Sequence, residues 1–171
     1  MELVIPMQVT SAVKLEQSPY TGTKGLYASL LPQYTDSIVS LAEELGIKLD
    51  SNKIHVTVCY SKTAIHPETI PVTSTSKVYR ALCNHVDHWK GHKGQTCIVM
   101  KLTSYDIVAA NADLQGRGAV HTFTPYSPHI TLTDEGTVDA EMQERIDKIN
   151  KRLAYAPMWL KFDRYHIGDL T

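Results

Sequence analysis

Apolar residues along this chain switch between two periods. From Lys53 to Tyr60, Ile54, Val56 and Val58 alternate with His55, Thr57 and Cys59. That two-residue period is the mark of a half-buried strand. Pro128 to Thr133 repeats it, with Ile130 and Leu132 opposite His129, Thr131 and Thr133. A similar unit precedes each segment. Upstream of the first, Gly25 to Leu31 is apolar and strand-like, and Pro32 stops it. Ile38, Leu41, Ala42 and Leu45 then recur at helical spacing over residues 35–45. Thr35 or Asp36 caps that helix, and Gly46 stands where a C-terminal glycine belongs. Upstream of the second, Thr96 to Thr103 is a strand built on Cys97, Ile98, Val99, Met100 and Leu102. Ser104 to Leu114 is compatible with a short helix that Gly116-Arg117-Gly118 breaks.

Other stretches are less patterned. Gln17 to Thr23 reads as loop. Ser61 to Lys77, rich in Pro, Ser and Thr, reads as a long connection with an extended segment around Ile70 to Thr73. Val78 to Trp89 is compatible with strand or irregular backbone, Gly91 to Gly94 with a turn, and His121 to Ser127 with a loop or short strand. Met142, Ile146 and Ile149 mark a last helix over roughly Val138 to Leu153, and Trp159 to Phe162 reads as an edge strand after Pro157. The order strand, helix, His-x-Thr strand thus occurs twice, as a repeat of pattern with little residue identity. It predicts an α+β protein: a single domain over 1–171, of two pseudo-symmetric β-sheet lobes with flanking helices around a central groove. Residues 1–24 read as an N-terminal extension.

Side chains two apart on a strand share a face. His55 therefore projects with Thr57, and His129 with Thr131, away from the apolar positions. An imidazole and a hydroxyl on the polar face of a central strand have a use if that face lines a cleft. Cleaving a phosphodiester through an adjacent ribose 2′-hydroxyl needs a base, an acid and donors to the nonbridging oxygens. Histidine, with an ordinary pKa of about 6.5, serves as base or acid near neutrality. Threonine hydroxyls serve as the donors. One His-x-Thr in a strand is commonly incidental; two, each behind the same strand–helix unit, point to His55, Thr57, His129 and Thr131 as a catalytic set. Which histidine is acid and which base is left open.

Composition narrows the substrate. Seventeen basic and 18 acidic residues give a net charge of -1, with 43% hydrophobic and 20% charged residues. A protein that grips long nucleic acid carries a basic excess to neutralise phosphates. A small phosphate-bearing ligand needs only a few local charges. Cys59, Cys83 and Cys97 are odd in number and irregularly spaced, as in a reducing compartment. No apolar run approaches the ~20 residues of a membrane span, and Met1 to Thr10 lacks the regions of a signal peptide. The expectation is a soluble cytoplasmic protein without a membrane partner.

Other polar groups invite weaker readings. His85, His88 and His92, with Cys83 nearby, suggest a metal cluster if the three histidines share a helical face, but Gly91 and Gly94 oppose a helix and no matched ligand pair follows. The histidines read instead as a polar surface near the groove, within reach of phosphate. No metal or cofactor is expected. His121 and His166 read as surface residues, and Gly116-Arg117-Gly118 lacks the spacing of a phosphate loop. Lys62, Lys101 and Arg117 are candidate phosphate neighbours, more simply read as solvated charges. Glu141 and Glu144 read as ordinary helix-surface acids.

Lys53-Ile54-His55-Val56-Thr57-Val58 and Pro128-His129-Ile130-Thr131-Leu132-Thr133 resemble the paired motifs of the 2H phosphoesterase superfamily. Gly25-Leu26-Tyr27-Ala28, His55 to Ser61, Gly118-Ala119 and Tyr126-Ser127-Pro128-His129-Ile130-Thr131 further resemble one branch, the phage anti-CBASS nucleases that degrade cyclic di- and trinucleotide signals of bacterial defence. The resemblance implies metal-independent cleavage of 3′–5′ linkages in a cyclic oligonucleotide such as 3′,3′-cyclic GMP–AMP. A 2′,3′-cyclic phosphate would form first, then a linear product, in the cytoplasm of an infected bacterium. It also implies aromatic stacking of the bases, for which Tyr27 and Trp89 match best, although Tyr27 reads equally well as a core aromatic of its strand. Tyr126, just before the second motif, is either a further contact in the groove or a residue that packs its loop. Two other functions fit the same residues: opening of 2′,3′-cyclic phosphates or 2′–5′ linkages in RNA or oligoadenylate, and a noncatalytic sponge for the cyclic nucleotide.

Overall fold

A computed structural model describes residues 19–70 and 77–171. The loop expected over Gln17 to Thr23 and the extended segment around Ile70 to Thr73 lie partly outside the described residues. The chain runs β1 (Leu26–Pro32), α1 (Asp36–Glu44), β2 (Val56–Ser61), β3 (Tyr79–Lys90), β4 (Thr96–Thr103), α2 (Tyr105–Gly116), β5 (His129–Gly136), α3 (Ala140–Tyr155) and β6 (Met158–Asp169). Short 3-10 turns occupy Ser51–Lys53 and Pro67–Thr69.

All six strands join one antiparallel sheet in the order β2-β1-β6-β3-β4-β5. The expected repeat is visible in that order. One half is β2-β1-β6 and the other β5-β4-β3, with the strand–helix–strand units β1-α1-β2 and β4-α2-β5 at the two ends. The lobes are halves of one continuous sheet, joined where β6 pairs β3. The core holds Leu26, Leu30 and Val56 with Ile38, Leu41 and Leu45 of α1. It continues through Met100, Ile107, Ile130, Ile146, Ile149 and Phe162, all buried. Burying such side chains is the main stabilising term, at about 1.5–3 kcal/mol each.

Capping explains the helix boundaries. The Ser104 hydroxyl accepts from the Ile107 amide at 3.0 Å and donates to the Arg80 carbonyl at 2.6 Å, so the start of α2 is tied to β3. Asp139 accepts from the Met142 amide at the start of α3. Thr35 precedes α1 without a side-chain cap bond. Gly46, just past α1, has φ +74, which a side chain would strain.

Two helix asparagines secure strands that carry the site. Asn111 of α2 donates to the Val58 carbonyl at 2.7 Å, and Asn150 of α3 bonds both the amide and the carbonyl of Val86, at 2.6 and 2.9 Å. Both strands are bulged nearby: β1 and β2 shift register at Ala28/Ser29, and β3 and β4 at Cys83/His85. A bulge leaves backbone groups unpaired in the ladder, and buried ones need partners.

Four readings of the sequence change. Pro32 belongs to β1 and pairs with Phe162, because a proline is tolerated at the end of a strand. Trp159 to Phe162 is part of a 12-residue strand, β6, at the middle of the sheet; its pairing is long-range and invisible in a local window. Tyr79–Lys90, undecided from pattern, is strand throughout. The His-x-Thr strands are the first and last in the sheet order, not central ones. They nonetheless touch each other, because the sheet curls until β2 and β5 come into contact.

Candidate active site

His55 lies one residue before β2, at the exit of the turn Ser51–Lys53 that Asp50 caps through the Asn52 amide. Its Nδ1 stands 2.8 Å from the Lys53 carbonyl. His129 opens β5, and its Nδ1 stands 2.8 Å from the Ser127 carbonyl. A carbonyl only accepts, so Nδ1 carries the proton in both rings. The same i to i−2 bond thus fixes the same tautomer twice, although the residues before each histidine differ. When either ring is neutral, its lone pair lies on Nε2.

Each imidazole meets an aromatic ring edge-on. Tyr27 is 6.4 Å from His55 between centroids at 69°, and Trp89 is 5.0 Å from His129 at 84°. The Tyr27 hydroxyl lies 3.0 Å from the Thr57 hydroxyl. Burial raises the Tyr27 pKa, which keeps the phenol protonated. Thr57 is half-buried and Thr131 exposed. The bulge in β2 places Val58 and Cys59 together in the core and turns Tyr60 to pair with Tyr27.

Electrostatics distinguish His129. Burial first, then the charges of His55 and Lys101, lower its pKa against the opposing Ser127 hydrogen bond. Lys101 pairs with His129 across β4 and β5, and its ammonium lies 5.8 Å from the Trp89 ring centroid. Lys101 is therefore half-buried within the site rather than a solvated charge. Arg117 instead pairs with Asp113 at 3.0 Å and donates to the Thr69 carbonyl, and Lys62 is exposed.

The segment before β5 sews the two ends of the sheet together. The Thr122 amide donates to the Tyr60 carbonyl at 2.9 Å, and the Val120 amide to Ser61 Oγ at 2.9 Å. The Tyr126 hydroxyl donates to the Thr57 carbonyl at 2.7 Å, so this tyrosine holds β2 against the approach to β5. His121 was expected at the surface and is 5% exposed. Its Nδ1 accepts from the Tyr60 amide at 3.1 Å, which places its proton on Nε2, the tautomer opposite to that of His55 and His129. Burial, then the charge of His129, lowers its pKa. No local pattern marks His121, because its hydrogen-bond partner comes from β2, far away in sequence. His166 was also expected at the surface. It is half-buried on β6 opposite Ser29, with Nε2 buried.

His85, His88 and His92 do not share a helical face. His85 and His88 lie on opposite faces of β3, and His92 is in the turn that follows. His88 Nε2 lies 3.1 Å from Gln143 of α3. Among the described residues, no three His, Cys, Asp or Glu side chains converge to hold a metal ion. No helix among them is long and apolar enough to cross a membrane.

Both His-x-Thr segments, Tyr27, Trp89 and Tyr126 fall inside the span, residues 24–155, that matches the family model described as anti-CBASS protein Acb1. The chain belongs to this family. The anti-CBASS protein Acb1 of Vibrio phage KVP40 is 34% identical over 124 residues, which cover 71% of this chain and 76% of that relative. That of Salmonella phage S16 is 33% identical over 116 residues, covering 65% and 72%. That of Enterobacteria phage T4 is 30% identical over 115 residues, covering 64% and 71%. The family match stops short of β6, the strand that joins the two halves of the sheet.

Proposed function

We propose that this member of the Acb1 family is a metal-independent phosphodiesterase of the 2H type. It opens 3′–5′ linkages of cyclic oligonucleotide signals in the cytoplasm of an infected bacterium and so counteracts CBASS defence. The observation that carries the reading is the pair of histidines with the same fixed tautomer. Each has its Nε2 available for proton transfer, and each is accompanied by a threonine and an aromatic ring. The names of the phage relatives supply the biological setting.

The neutral form of His129 is favoured by burial and by the neighbouring Lys101 charge, so it acts as the base. Nε2 of His129 takes the proton of the ribose 2′-hydroxyl as that oxygen attacks phosphorus. The bond from phosphorus to the 5′-oxygen breaks, and protonated His55 delivers its Nε2 proton to the departing oxygen. The product is a 2′,3′-cyclic phosphate. In the second step Nε2 of His55 takes a proton from water as the water oxygen attacks phosphorus. The bond from phosphorus to the 2′-oxygen breaks, and His129 returns its proton to that oxygen, leaving a linear oligonucleotide with a terminal phosphate. Thr57 and Thr131 donate to the nonbridging oxygens, while Tyr27 and Trp89 stack the bases beside the scissile linkage at about 1–3 kcal/mol per base. Tyr126 acts through Thr57, whose backbone it holds.

The test is incubation of the protein with 3′,3′-cyclic GMP–AMP in excess EDTA, read by chromatography and mass. A linear product with a terminal phosphate is expected. Tight binding with the ligand recovered intact would replace the enzyme with a sponge. Absence of binding, with turnover of a 2′,3′-cyclic phosphate or a 2′–5′ linkage, would move the substrate class.

The acid–base assignment predicts a pH profile. A base with a lowered pKa stays unprotonated further into acid, so the acidic limb of kcat/KM is expected below the ordinary histidine value of about 6.5. Lys101→Met removes one of the charges that lower it, and the limb should move toward higher pH. A limb that stays in place in that variant would argue against His129 as the base.

A further inference from the structure

Phe123 lies in the segment before β5, outside the catalytic pair, and is 52% exposed. Three rings surround it. Tyr60 is 5.7 Å away between centroids at 53°, and His121 is 6.1 Å away at 72°. Both are anchored by β2, and they hold the phenyl ring in place. The third neighbour differs. His92, exposed in the turn between β3 and β4, lies 6.4 Å away at only 32° to the phenyl plane. Every base has a π-face to lay on an exposed ring. The two rings, tilted at 32° with centroids 6.4 Å apart, border a slot, and one wall sits on an exposed turn.

The slot is continuous with the site. Tyr60 pairs with Tyr27 across β1 and β2, their rings 6.2 Å apart, so an aromatic surface runs from the ring beside His55 to Phe123. His92 follows Trp89, the ring beside His129, by one turn of the β3–β4 hairpin. Aromatic rings therefore border the histidine pair at Tyr27, at Trp89 and at the Phe123–His92 slot.

We infer that Phe123 and His92 form a third base-stacking station, which takes the third nucleobase of a cyclic trinucleotide whose other two bases flank the scissile linkage. The inference rests on the phosphodiesterase reading above and names a further part of its substrate class. A cyclic dinucleotide has no base to place there. Stacking tolerates every base, so the station senses the number of nucleotides in the ring rather than their identity.

The experiment measures equilibrium binding of cyclic tri-AMP and of 3′,3′-cyclic GMP–AMP in a His55→Ala background, with Phe123→Ala, Phe123→Leu and Phe123→Trp added in turn. The alanine and leucine variants are expected to lose about ten- to a hundredfold in trinucleotide affinity. The ratio of trinucleotide to dinucleotide affinity should fall by about tenfold or more, and the tryptophan variant should restore it. Leucine fills the volume over Tyr60 and His121 without offering a ring face, which separates stacking from packing. An equal fall for both ligands, or no rescue by tryptophan, would overturn the station and leave Phe123 a packing residue. If the protein with Phe123 intact binds and cleaves neither ligand, the phosphodiesterase reading falls and the station with it.

Discussion

Replacing either histidine proposed as catalytic, by His55→Ala or His129→Ala, is expected to lower kcat by about 10²–10⁴-fold, the usual value of a positioned proton transfer. Some ligand binding should persist, because the stacking rings Tyr27 and Trp89 remain in place, although each change removes the imidazole that one of them meets edge-on. The double variant should lose much less than the product of the two single losses, since the two rings act on one transferred proton pair. Both histidines are half-buried at the rim of the sheet, and their Nδ1 hydrogen bonds run to backbone carbonyls two residues away. Removing the ring therefore leaves the core intact, and melting temperatures should stay near that of the unsubstituted protein. Single-turnover assays with the melt measured in parallel would check both halves. Turnover within about tenfold of the original in either variant would sink the two-histidine mechanism.

The candidate set is legible in the sequence because its placement depends on a local rule. A two-residue period puts His55 with Thr57 and His129 with Thr131, whatever the rest of the chain does. The helices are legible for the same reason: α1 and α3 show their apolar faces at helical spacing, and the observed spans agree closely with those expected. What was not legible depends on contacts distant in sequence. The central place of β6 follows from pairing with β1 and β3, which no window around Trp159 reveals. The burial of His121 follows from the Tyr60 amide, and the role of Lys101 from its register opposite His129. The bulge that lets His55, Thr57 and Tyr60 share one surface adds one residue to β2, and it breaks the strict alternation that a sequence reading assumes. The site is thus predicted by local period and completed by the curl of the sheet. Two motifs at opposite ends of the strand order become neighbours only because β2 and β5 meet.

Thr57→Val and Thr131→Val are each expected to lower kcat by about 10²–10³-fold, the range seen when a donor to a developing negative charge is removed. Valine keeps the shape and the β-branched fit to a strand, so the change isolates the hydroxyl. The two threonines differ in how they are held. Thr57 is half-buried with its hydroxyl 3.0 Å from that of Tyr27, whereas Thr131 is exposed. If the phenol donates to Thr57, the threonine proton is left for a phosphate oxygen. Tyr27→Phe removes that orienting bond and keeps the ring, so it should lower kcat by less than Thr57→Val with little change in KM. Tyr27→Ala, which also removes the stacking face, should raise KM as well. Phosphorothioate substrates add a readout that a structural role would not move. Sulfur at one nonbridging position should slow the intact protein more than at the other, because the donors address the two oxygens unequally. Each valine variant should lose part of that discrimination. A valine variant that is slow but keeps the full difference between the two thio isomers would show that its hydroxyl does not contact the phosphate. The threonine would then be a positioning residue for its histidine.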